Sequence, residues 1–176
     1  MSRRLFRRLA AVVALPLLAS CSVLAEKKPP PPCPPIYVLG DAAKVVKYRE
    51  GKGRDLTDVE AEAEIIGFSG NCSYDDKGAN VEIQVKFGVQ RGPALTDRTA
   101  KLSYFVAIPY FYPSPDAKGV FPISVTFPEG ANYVQHTDEP VTMAIPVKDK
   151  DVIDKYEIYL GFQTSAEELE RNRKVR

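Results

Sequence analysis

Residues 80–90, NVEIQVKFGVQ, alternate strictly between apolar and polar side chains over eleven positions. Val81, Ile83, Val85, Phe87 and Val89 fall on one side; Glu82, Gln84, Lys86 and Gln90 fall on the other. A period of two buries one face of a β-strand and smears apolar groups around the whole circumference of a helix. The segment is therefore a long half-buried strand, and any fold must supply an apolar layer to cover it.

The same period recurs at 59–66, VEAEAEII, where Val59, Ala61, Ala63 and Ile65 alternate with Glu60, Glu62 and Glu64. Glu and Ala favour helices, but strict alternation and Gly67 point to a strand that ends there. Further strands are expected at 43–49, 100–108, 120–127, 141–147 and 156–163. Turn-forming stretches separate them, at 51–55, 75–78, 91–93, 113–119 and 128–132. Short strands with regular turns and no intervening helices make the chain mainly β, an antiparallel β-sandwich over 36–164. That pattern is compatible with immunoglobulin-like architecture, although the chain has no tryptophan to supply that family's core hallmark. Pro109, Pro122 and Pro146 lack an amide donor and so belong on edge strands or bulges. Ser165-Ala166-Glu167-Glu168 fits a capping box and predicts a short helix at 166–173, followed by a basic tail within 165–176.

The beginning of the chain follows different rules. Residues 3–8 read RRLFRR, residues 9–19 are uncharged and largely apolar, and Leu18-Ala19-Ser20-Cys21 follows. A basic stretch followed by a short apolar core has the layout of a secretory signal. With Leu18-Ala19-Ser20-Cys21 at its end, the segment resembles the lipobox of bacterial lipoproteins. The resemblance implies that 1–20 are a cleaved signal peptide and that Cys21 is lipidated. It also implies a membrane anchor, with Ser22 after the cysteine directing the protein to the periplasmic side of the outer membrane. Two or more acyl chains hold stably where one does not, at ~0.8 kcal/mol per buried methylene. GRDLTDVEAEAEI and GFQTSAEELERNR are similar to segments of uncharacterised lipoproteins of Gram-negative bacteria, a likeness that implies no known activity.

Removing Arg3, Arg4, Arg7 and Arg8 from the 24 basic side chains leaves 20 against 23 acidic ones, a net of −3. That balance argues against nucleic acid as a partner. From Pro29 to Pro35, six of seven residues are proline, so 21–35 reads as an anchor and stalk of polyproline II character. Once Cys21 is acylated, Cys33 and Cys72 remain. In an oxidising compartment they are expected to pair, closing a loop of about 40 residues that stabilises by ~4 kcal/mol.

Reactive chemistry is sparse. His136 is the one histidine; with Asp138 and a serine it formally allows a triad, but VQHTDEP reads as a polar turn. Gly67-Phe68-Ser69-Gly70 only approximates a nucleophile elbow. Glu60, Glu62 and Glu64 read as a solvated strand face, and Asp149-Lys150-Asp151 with Asp154 lacks the glycine and glutamate of a calcium loop. No catalytic residue, metal site or cofactor is expected. The distinctive stretch is Ile108-Pro109-Tyr110-Phe111-Tyr112-Pro113. Three successive aromatics cannot all enter one core, so Tyr110, Phe111 and Tyr112 form the candidate partner surface, competing with a reading in which they cap the core. The basic tail at Arg171, Arg173, Lys174 and Arg176 offers a contact for anionic polymers, or a solvated end. Together these features predict a non-enzymatic, lipid-anchored envelope protein that serves an assembly or scaffolding partner. The alternative is a module that binds a lipid or glycan.

Overall fold

In the computed structural model, residues 31–176 are described, except 52–53, 148–149 and 175–176. The expected signal peptide at 1–20, Cys21, most of the expected stalk at 21–35, Asp149 and Arg176 lie outside the described residues. Nine strands are present among those described: β1 Ile36–Val38, β2 Lys44–Tyr48, β3 Val59–Tyr74, β4 Ala79–Arg91, β5 Thr99–Ala107, β6 Lys118–Thr126, β7 Tyr133–Thr137, β8 Val141–Ile145 and β9 Ile158–Phe162. One helix, α1 Ala166–Lys174, closes the chain.

The strands form two sheets. One runs β1-β9-β5-β6; the other runs β2-β3-β4-β7, with β8 also paired to β4. All pairings are antiparallel except β1 with β9. The result is the β-sandwich that the alternation demands. Its two-layer architecture is immunoglobulin-like, but the path is its own. β2, β3 and β4 are consecutive and adjacent, whereas no three successive strands of an immunoglobulin constant domain share a sheet.

β4 buries Val81, Ile83, Val85, Phe87 and Val89, as the sequence pattern requires. Phe87 lies 5.2 Å from the Tyr104 ring and 5.5 Å from that of Phe162, so aromatics from both sheets meet at the centre. Burial of such side chains supplies about 1.5–3 kcal/mol each and is the main force holding the layers together.

β3 departs from expectation. It continues through Gly67 to Tyr74, eight residues past the predicted end. A bulge between Ile65 and Gly67 resets the register by one residue. Before it, Val59, Ala61, Ala63 and Ile65 face inward; after it, Phe68, Gly70, Cys72 and Tyr74 share the face of Val85, Ile83, Val81 and Ala79. The phase change makes the alternation look broken at Gly67. Ser69 consequently lies in mid-strand opposite Gln84, not on a strand-to-helix elbow.

Chain outside the predicted domain covers the second half of β3. The Tyr74 hydroxyl donates to the Pro32 carbonyl. Cys33 is bonded to Cys72, with their Cα atoms 5.7 Å apart. A β-carbon at Gly70 would come within 2.5 Å of the Ile36 δ-methyl, so glycine makes room for that side chain. The Pro35 carbonyl accepts the Ile158 amide at 2.9 Å and leads into β1. The last residues of the stalk are thus built into the sandwich.

At the other end of the chain, the capping box forms as expected. The Ser165 amide donates to Glu168 Oε2 at 2.7 Å, and the Glu168 amide donates to Ser165 Oγ at 3.2 Å. Asn172 ties α1 to the Asp41 and Lys44 carbonyls. Arg173 bridges Glu170 and Asp41, and Arg171 pairs with Glu167 beside the Tyr48 ring. These two arginines are engaged within the fold, not frayed.

Candidate functional site

β5 ends at Ala107, and Pro109–Phe111 turns in a single 3-10 helix. That turn separates the three aromatics as the sequence requires. Tyr110 is 60% and Tyr112 82% exposed. Phe111 is half-buried, packs on the core and stands 5.6 Å from the Tyr156 ring. Tyr110 lies closer to that ring, at 4.5 Å. Burial, then the neighbouring Tyr110, raises the Tyr156 phenol above its ordinary pKa. Two tyrosines therefore stand outward, Tyr110 on a buried aromatic footing.

Phe111 also lines an open cleft of about 700 Å³ at the side of the sandwich. One wall is the start of β6, Lys118 and Gly119, with Ser114–Asp116 before it. The facing wall is Thr142–Pro146, and the β3–β4 turn closes one end. That turn is firmly built. Asp75 accepts the Lys77 amide at 2.8 Å, the Gly78 amide at 3.0 Å and Asn80 Nδ2 at 2.9 Å. The Lys77 amide, followed by Asn80, holds the Asp75 carboxyl below its usual pKa. Gly78 has φ +144° and presses on the Ile145 carbonyl, which a β-carbon would meet at 2.1 Å. Sequence reading missed this cleft because its walls come from three segments distant in sequence, 75–80, 111–119 and 142–146.

His136 lies on β7, not in a turn. Its Nε2 is 3.9 Å from Asp138 Oδ1, while Asp138 Oδ2 accepts the buried Tyr104 hydroxyl at 2.9 Å. Among the described residues no serine hydroxyl hydrogen-bonds this pair. Its evident role is to satisfy Tyr104 in the core. Burial, then Asp138, raises the Tyr104 phenol well above its ordinary pKa. The fold thus retains that proton past pH ~10, and this part of its stability is full below that pH and declines above it. Tyr104→Phe should cost about 1–2 kcal/mol in urea denaturation and flatten the alkaline loss. An unchanged midpoint at neutral pH would show that Asp138 does nothing for the core.

Glu62 and Glu64 project from the solvent face of β3, with Glu64 3.3 Å from Lys44. Among the described residues, no three His, Cys, Asp or Glu side chains converge to hold a metal ion, and no helix is long and apolar enough to cross a membrane. Asp154 follows Lys150 within a 3-10 helix, Lys150–Lys155. Comparison of the chain with protein-family models, curated proteins and solved structures finds no match.

Proposed function

We propose that this is a lipid-anchored, non-enzymatic envelope protein whose sandwich engages a protein partner through the aromatic turn and the cleft beside it. The observation that carries this reading is the pair of exposed tyrosines, Tyr110 and Tyr112, flanking a phenylalanine that lines a cleft. Exposed aromatics on a rigid footing are the usual anchors of protein interfaces, because they bury large area at small entropic cost.

The tether adds a geometric argument. Described chain begins at Pro31, and Pro32 is bonded to Tyr74 next to the turn that closes the cleft. If Cys21 is acylated on the outer membrane, the ten residues from Cys21 to Pro31 reach at most about 35 Å. The cleft end of the domain is then held near the bilayer, on its periplasmic side.

A lipid or glycan module is the alternative. A ligand between the sheets would have to displace Phe87, Tyr104, Phe127 and Phe162, all fully buried. This reading therefore depends on the edge cleft as well.

A photoreactive phenylalanine analogue at position 112, in the full chain in its native envelope, should yield a discrete protein adduct. The same analogue at exposed Glu62 should not. Tyr112→Ala should change folding stability by less than about 0.5 kcal/mol while weakening partner capture by tenfold or more. Equal adducts at both positions, or none, would count against the proposal.

A further inference from the structure

β8 lines the cleft in an informative way. Thr142, Met143, Ala144, Ile145 and Pro146 all contribute. A cleft lying over a sheet face meets every second residue, because successive side chains point to opposite sides. Four successive residues of β8 and the Pro146 that follows instead mark a cleft running along a strand edge. Among the described residues β8 pairs with β4 alone, so no described strand lies against its other side. In an antiparallel pair, alternate residues direct their N–H and C=O groups away from the partner. The cleft is therefore walled by backbone donors and acceptors on the free side of β8.

Natural sheets guard such edges with lysine, proline or brevity. Here β2 carries Lys44 and Lys47, β6 carries Lys118 and Pro122, and β1 is three residues long; β7, YVQHT, carries neither guard but lines no part of the cleft. β8 reads VTMAI, without charge or proline within it, and is bounded by Pro140 and Pro146. It is an open pairing template of about 17 Å, at 3.4 Å per residue. The charged residues around it balance, Asp75 and Asp116 against Lys77 and Lys118, which suits an uncharged occupant. By register, Tyr74 lies two strand spacings, roughly 10 Å, from Ile145. The tether thus enters close to this edge, and its length limits the occupant to something presented near the membrane.

We propose that the cleft accepts a strand: an extended, uncharged segment of a membrane-associated partner protein adds to the free edge of β8, beside Phe111. This rests on the tethered-partner reading and names the chemistry of its partner. Main-chain hydrogen bonds supply affinity in such strand addition, and pockets for alternate side chains supply specificity.

The test uses the full purified chain and a blocked heptapeptide alternating threonine and valine, because backbone pairing tolerates sequence. Amide hydrogen exchange across 141–145 should slow when the peptide is added at millimolar concentration. A second peptide, N-methylated at two consecutive central residues, loses one donor on each of its edges and should bind at least tenfold more weakly. Absence of protection in 141–145, or equal protection by both peptides, overturns the proposal. Protection there by phosphatidylglycerol vesicles in place of the peptide assigns the cleft to lipid and overturns it too. Acylation of Cys21 is read separately from the mass of the same preparation, so failure of the tether and failure of the strand site are distinguishable.

Discussion

Reducing the Cys33–Cys72 bond should lower the melting temperature by roughly 8–16 °C, the shift expected for about 4 kcal/mol in a domain of this size. The bond spans 39 positions, so opening it restores the entropy of a long loop to the unfolded chain. It also has a local consequence. Pro31–Ile36 is held over the second half of β3 by this bond, by the Tyr74 hydroxyl and by Ile36 over Gly70. With the bond broken, the inner face of β3 from Gly70 to Tyr74 loses its clamp and should exchange amide protons faster than β4. Calorimetry with and without reductant, alongside a Cys33→Ser/Cys72→Ser variant, checks both effects. An unchanged melting temperature after confirmed reduction would mean that the segment is held without its covalent link.

The second large effect concerns location. Cys21→Ala should abolish acylation and with it stable attachment to the outer membrane, and because processing at position 21 is lost too, the variant should keep residues 1–20 with their apolar stretch 9–19. Two or more acyl chains convert marginal, reversible binding into stable attachment. The sandwich should be unaffected, since Pro32, the first described residue bonded to it, lies well beyond Cys21 in sequence. Loss of acylation with retention of fold separates the address of the protein from its architecture.

Much of the architecture is legible in the chain because single local rules decide it. β4 follows from eleven alternating residues, α1 from the Ser165–Glu168 capping box, and the edge position of β6 from Pro122. The disulfide joins the two cysteines that the sequence reading left to pair. What escapes is set by contacts distant in sequence. The second half of β3 hides behind a bulge that shifts the apolar phase by one residue. β7, Tyr133–Thr137, has weak alternation because His136 occupies an inward position opposite Phe87. β1 is three residues long and pairs with a strand more than a hundred positions away.

The candidate site divides in the same way. Exposure at the aromatic turn is readable from three adjacent rings, since a chain cannot turn all of them into one core. The cleft is not readable, because an edge exists only once the neighbouring strands have been placed. Reading VTMAI as an apolar strand is straightforward; learning that its outer side is bare requires the topology.

Intact-mass analysis of the protein from its native host bears most directly on this account. A chain beginning at Cys21 and heavier by a diacylglycerol and a further acyl group is the result expected. A chain that begins at Met1 and carries no fatty acid would leave the sandwich and its open strand intact, but without the membrane that gives them a purpose.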